Sequence, residues 1–150
     1  MKLSEALQER ADLNRRIEQL RVRLSHNATV QEGESPSEDP KALLLELDGS
    51  FARLEELIYR INLTNCKVES DGKTLTQRLA ERDCLNAKLG AYRSFLNDAS
   101  QLATRATRTE IKIVSTVQVA SMQKTVDALS AKLRKLDTDI QALNWTTELL

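Results

Sequence analysis

VASMQKTVDALSAKLRKLDTDIQALNWT, residues 119–146, decides the fold. Val119, Met122, Val126, Leu129, Leu133, Leu136, Ile140 and Leu143 recur at alternating three- and four-residue steps without one polar interruption. Such a rhythm lines one stripe of a helix, and its regularity predicts a long, straight helix over residues 120–146 packed on a partner. With Val119 and Met122 as the a and d positions, Trp145 falls at f, opposite the seam. A tryptophan there is either covered by another subunit or an ordinary, partly exposed residue.

Just before this helix the character changes. Thr107, Thr109, Ile111, Ile113, Val114, Thr116, Val117 and Val119 are β-branched, which disfavours helix and favours strand. Ile111, Ile113, Val117 and Val119 alternate with Lys112, Thr116 and Gln118, a period near two. A short extended segment near residues 107–119 is expected. A lone strand leaves backbone groups unpaired, so it should pair with residues 66–75 or with its own copy in an oligomer. Ile111, Ile113, Val117, Val119 and Trp145 are therefore the candidate oligomer contacts.

Three more helices follow from the same reasoning. The first should span residues 4–27, with Ser4 as N-cap, Glu5 at the positive helix end, and His26 as an exposed C-terminal cap. Leu3, Ala6, Leu13, Ile17, Leu20 and Leu24 form its narrow, coiled-coil-like stripe, with Arg10 in the missing slot. Residues 28–39 are polar and acidic and make a loop. Asp39-Pro40 then starts the second helix, a carboxylate cap followed by proline at the first helical position. Its seam is expected at Leu44, Leu47, Phe51, Leu54, Ile58 and Ile61, widened by Leu43 and Leu57, with Asn65 next. Asp71-Gly72 is a tight turn, and Thr74 with Gln77 caps a third helix over residues 75–104. The third seam, Leu75, Leu79, Leu85, Leu89, Tyr92 and Leu96, breaks at Arg82-Asp83 and resumes out of phase. Gly49 and Gly90, single glycines inside helices, are expected where helices approach closely.

These elements predict an all-α protein: four long helices in antiparallel hairpins or a bundle with coiled-coil character, one short extended segment, and a single domain over residues 1–150. Arg10, Asn65, Arg82 and Asp83 form a candidate polar seam. Groups of this kind fix register or oligomeric state, or else line a polar pocket between helices.

Composition removes several functions. The chain has 150 residues, 22 basic and 22 acidic side chains, and a formal charge of zero, which lacks the basic surplus of a dedicated nucleic-acid binder. Aromatics are 3% of residues, too few for a base-stacking platform or an aromatic-lined pocket. No apolar run is long enough for a membrane span, and no signal-peptide pattern opens the chain, so a cytoplasmic protein is expected. Cys66 and Cys84 have neither zinc-site nor redox-motif spacing and read as reduced thiols.

Chemistry is sparse. His26 is the one histidine, with Arg23 three residues before it, which excludes the Glu-x-x-His pairs of a di-iron bundle. There is no nucleophile elbow, phosphate-gripping glycine loop or zinc-protease motif, and no enzyme, metal or cofactor is expected. The acidic loop, with Glu32, Glu34, Glu38 and Asp39, lacks an EF-hand pattern and reads as a solvated linker. Arg15, Arg16, Arg21 and Arg23, then Arg105, Arg108 and Lys112, then Lys132, Arg134 and Lys135 read as solvated faces balanced by neighbouring acids. Weak nucleic-acid or anion binding is the alternative.

Several strings are shared with a known family: Lys2-Leu3-Ser4-Glu5-Ala6-Leu7 with Arg10-Ala11-Asp12, Val30-Gln31-Glu32-Gly33 leading to Glu38-Asp39-Pro40, and Ile61-Asn62-Leu63-Thr64-Asn65. Arg108-Thr109-Glu110-Ile111-Lys112 and Ile140-Gln141-Ala142-Leu143-Asn144-Trp145 continue the match over nearly the whole chain. The chain resembles small bacterial helical proteins of uncharacterised function, some of them labelled septicolysin. The resemblance implies a helical, oligomeric protein, and the label implies a membrane-active cytolysin. The residues themselves favour a non-enzymatic helical oligomer, an interaction or scaffold protein whose first partner is itself and whose second is another protein.

Overall fold

The computed structural model describes residues 1–101 and 112–150, in which four long helices follow in order: α1 (Leu3–His26), α2 (Pro40–Lys67), α3 (Leu75–Ser100) and α4 (Val119–Thr146). Between α2 and α3, β1 (Glu69–Ser70) pairs antiparallel with β2 (Lys73–Thr74). Asp71 and Gly72 supply the turn, both at positive φ as a tight two-residue hairpin requires. The all-α reading holds. Residues 112–118 stay outside any helix, as expected, and join no strand ladder among the described residues. Ile111, Arg105 and Arg108 lie outside the described residues.

The chain divides into two compact units. The first, Met1–Thr74 with Leu143–Leu150, is built on the α1–α2 hairpin. Leu3, Ala6, Ile17 and Leu20 of α1 and Leu43, Leu54, Leu57 and Ile61 of α2 are buried. Removing each such Leu or Ile from water contributes roughly 1.5–3 kcal/mol.

One edge of this hairpin is sealed by charge. Arg53 makes a bidentate pair with Glu9 (Nε–Oε1 2.7 Å, Nη2–Oε2 2.9 Å). Arg16 reaches Glu46 through Nε and Nη2 at 2.9 and 2.7 Å, and Arg23 grips Glu38. Glu9, Arg16 and Arg23 are seven residues apart on α1, and their partners run backwards from α2 into the loop. The ladder thus records an antiparallel register. Asn27 closes the connecting loop: its Nδ2 donates to the Arg23 carbonyl, and its Oδ1 accepts the Glu38 N–H. Asp39 caps α2 by accepting the Lys41 N–H at 3.0 Å, with Pro40 next.

Chain ends complete the first unit. Lys2 forms an isolated antiparallel bridge with Glu148; the Leu3 N–H donates to the Thr147 carbonyl and the Leu149 N–H to the Met1 carbonyl. The Leu150 N–H donates to Thr64 Oγ1, and Arg60 Nε donates to the Leu150 carbonyl. This pairing explains why α1 starts earlier than expected. Lys2, held extended by the bridge, is the N-cap in place of Ser4, and its N–H is taken by the Glu5 carboxylate.

The second unit, Leu75–Ala142, is formed by α3 and α4. Leu89, Leu96 and Val126 form a core against which Tyr92, Val119, Met122, Leu129 and Leu133 pack. Arg93 Nη2 donates to Ser130 Oγ, and Lys132 pairs with Glu81. The α4 seam is the one expected.

Two other seams differ. On α2 the buried line is Leu43, Ser50, Leu54, Leu57, Ile61 and Thr64: Leu54 and Ile61 of the expected row and the widening Leu43 and Leu57 are buried, whereas Leu44, Phe51 and Ile58 are exposed. Ser50 and Thr64 fit a seam because each hydroxyl donates to the carbonyl one turn back, Glu46 and Arg60, at 2.8 Å. On α3 the line Leu75, Arg78, Arg82, Leu85, Leu89, Tyr92 and Leu96 is continuous in phase, with Arg78 buried and Arg82 half-buried. No phase shift occurs; two arginines occupy seam positions that hydrophobicity alone does not find. Gly49 and Gly90 also differ from expectation, since a Cβ at either meets nothing within 4 Å.

Two outcomes follow. Hydrogen bonds from Arg53 and Arg23 hold the Glu9 and Glu38 carboxyls below their ordinary value of 4.5. Because folding depresses these pKa values, their stabilisation is complete above the ordinary carboxylate range and lost as pH falls through the depressed values. The Tm should therefore drop in acid, and E9Q/E38Q should lower it at neutral pH while flattening the acid drop. Separately, Gly49→Ala and Gly90→Ala should each stabilise by about 0.5–1 kcal/mol in denaturant titrations. A destabilised variant would mean that the glycine is needed for close packing.

Candidate interaction surface

The rotation of α2 set by the Arg–Glu ladder leaves a second apolar surface facing out. Leu44, Phe51 and Ile58 form one row at seven-residue spacing; Leu45, Ala52 and Tyr59 form another. At 3.6 residues per turn, Lys41, Asp48, Glu55 and Asn62 project between them. All ten residues are exposed. The apolar residues thus lie in two seven-residue rows on either side of a polar and charged row.

The aromatic side chains share this outward placement. Phe51, Tyr59, Phe95 and Trp145 are 49%, 65%, 45% and 68% exposed, and Tyr92 is half-buried beneath the Lys88 ammonium, 5.6 Å from its ring centroid. The buried hydrophobic side chains among the described residues are all aliphatic. Aromatics carry the largest apolar area per side chain, so excluding them from the core is costly unless something else covers them.

Trp145, in the last turn of α4, belongs to the first unit. It borders an open groove with Met1, Ser4, Glu5, Gln8, Glu9 and Asp12. The groove's carboxylates are engaged: Glu5 by the Lys2 N–H, Glu9 by Arg53, Asp12 by Arg15 and Gln8.

The other expected contacts separate. Ile113 is exposed, Val117 is half-buried, and Val119 packs on the second unit's core as part of α4. Of the polar-seam candidates, only Arg82 and Asp83 meet, through Nε and Nη2 at 3.0 and 2.7 Å from Oδ1. They lie in the second unit, whereas Arg10 and Asn65, both half-buried, lie in the first. Asp12, two residues after Arg10, pairs along its own helix with Arg15.

Sequence reasoning missed the outer face of α2, because it assigned Leu44, Phe51 and Ile58 to the core. The available signal was the heptad spacing of Glu9, Arg16 and Arg23 against Glu46 and Arg53. Opposite charges at matching intervals mark the edge of a seam and thereby locate the seam itself.

Comparison with other proteins agrees with this helical architecture. Residues 10–149 match the model of a family of unknown function (DUF6847), and the chain belongs to that family. A crystal structure described as a functionally unknown conserved protein from Corynebacterium diphtheriae is similar, at 40% identity and a TM-score of 0.86. The match covers 100% of this chain and 99% of that one. No curated protein matches. Neither description carries the septicolysin label, which these relatives leave unsupported. No helix among the described residues is long and apolar enough to cross a membrane.

The division of α2 into a buried and an outer row predicts opposite mutational behaviour for adjacent positions. Leu57→Ala should cost about 2–5 kcal/mol. Ile58→Gln, on the next residue, should change stability by less than about 1 kcal/mol. Chemical denaturation of the two variants measures the difference, and equal losses would refute the assigned phase.

Proposed function

We propose that this member of the family is a non-enzymatic helical interaction protein that self-associates, with Trp145 in the contact between copies. What carries the reading is the distribution of aromatics: four of the five are exposed, while the core is aliphatic. Aromatic side chains are enriched at protein–protein contacts, where a large rigid surface is buried at little entropic cost. Trp145 has the largest exposed aromatic fraction and lies beside exposed Met1 and the Leu149–Met1 backbone hydrogen bond, on a part of the unit held in place by the paired chain ends. An aromatic side chain has only two χ angles, so it loses little freedom when a second copy covers it.

Trp145 is the single tryptophan, so its fluorescence reports directly on its own burial. Sedimentation across the micromolar range should show concentration-dependent association, with a blue shift of tryptophan emission over the same range. Trp145→Arg should give a monomer with unchanged helical circular dichroism. A wild-type protein that sediments as a monomer throughout, with constant emission, would exclude the proposal.

A further inference from the structure

Residues 147–150, the segment that follows α4, are held to the first unit by partners far away in the chain. The Leu3 N–H donates to the Thr147 carbonyl and the Leu149 N–H to the Met1 carbonyl, both at 2.9 Å. The Leu150 N–H reaches Thr64 Oγ1 at 3.0 Å, and Arg60 Nε reaches the Leu150 carbonyl at 2.8 Å. Of the four residues only Leu149 is buried. One buried leucine and a few hydrogen bonds are comparable in size with the conformational entropy of ordering four residues. Releasing the segment leaves the buried leucines and the arginine–glutamate pairs of the α1–α2 hairpin in place. Opening is therefore local and costs far less than unfolding the unit.

Lys2 connects this segment to the Trp145 groove. Its backbone caps α1 by donating to Glu5 Oε2 at 2.7 Å. Its ammonium lies 2.6 Å from Glu148 Oε1 and donates to the Thr146 carbonyl, at the end of α4, at 3.1 Å. One wall of the groove comes from the start of α1, between Met1 and Asp12, and the other is Trp145, beside Thr146. The two walls meet where Lys2 is engaged through both its backbone and its side chain.

We infer that residues 147–150 are a latch that opens and closes without loss of the helices. Lys2 and Glu148 are positioning residues, whose pairing assembles the Trp145 surface that a second copy covers. With the latch open, the last turn of α4 loses its hold on the start of α1, and Trp145 parts from Met1, Ser4 and Glu5. The closed fraction then scales the apparent affinity between copies. The inference rests on the reading of Trp145 as the contact between copies and supplies its control.

The bridge itself offers a reversible lock. The two backbone hydrogen bonds flank Lys2 and Glu148 and leave them a non-hydrogen-bonded antiparallel pair. Cα atoms in such a pair are about 4.5 Å apart, within reach of a disulfide. In K2C/E148C on a C66S/C84S background, oxidation within one chain should give wild-type self-association in sedimentation. Reduction of the same protein should weaken it about threefold or more, with unchanged helical circular dichroism. Equal association in the two redox states would overturn the inference. Native-state hydrogen exchange reads the latch in the wild-type protein whether or not it associates. The Leu3, Leu149 and Leu150 amides should exchange through one shared opening, about a hundredfold or more faster than the Leu57 and Ile61 amides. Exchange no faster than at Leu57 and Ile61 would overturn the latch. Fast latch amides in a protein that stays monomeric would uphold the latch and remove the contact, so the two proposals fail separately.

Discussion

The paired arginines and glutamates along one edge of the α1–α2 hairpin are the constraint from which its exposed surface follows. Glu9 with Arg53, Arg16 with Glu46 and Arg23 with Glu38 fix register and rotation together. A helix stripe tolerates sliding by one heptad, because apolar contacts are non-directional. A bidentate arginine–carboxylate pair does not tolerate it, because its two hydrogen bonds demand one geometry. Each pair is partly exposed and contributes little stability by itself. Their collective effect is on orientation: with Glu46 and Arg53 at the edge, the neighbouring line through Leu43, Ser50, Leu54 and Leu57 must face α1.

Leu44, Phe51 and Ile58 are the remainder of that geometry. A two-helix hairpin buries one stripe per helix, and α2 carries more apolar surface than one stripe can use. An exposed apolar row on a helix otherwise well supplied with charge favours aggregation unless a partner covers it.

The polar members of the buried lines show why hydrophobicity is an incomplete guide to packing. Ser50 and Thr64 return their hydroxyl hydrogens to their own helix and behave as small apolar groups. Buried Arg78 and half-buried Arg82 occupy α3 seam positions where a long aliphatic stem can pack while its head stays polar. Hydrophobic counting instead selected Phe51 over Ser50 and Leu79 over Arg78. Where every seam residue is apolar, as along α4 from Val119 to Leu143, counting and packing agree.

The sequence alone determined which segments are helical and where several begin and end. The Asp39-Pro40 start, the Asp71-Gly72 turn and the unbroken α4 seam are local features, and local hydrogen bonding and backbone preference suffice for them. The end of α3 at Ser100 and the start of α1 after Lys2 were less legible; the latter depends on a bridge to Glu148, far away in the chain. Only the tertiary structure decided which face of α2 is buried and which is presented. Helical periodicity establishes how residues are arranged around one axis, but the rotation of that axis against a neighbour is set by contacts between distant residues, here the arginine–glutamate pairs.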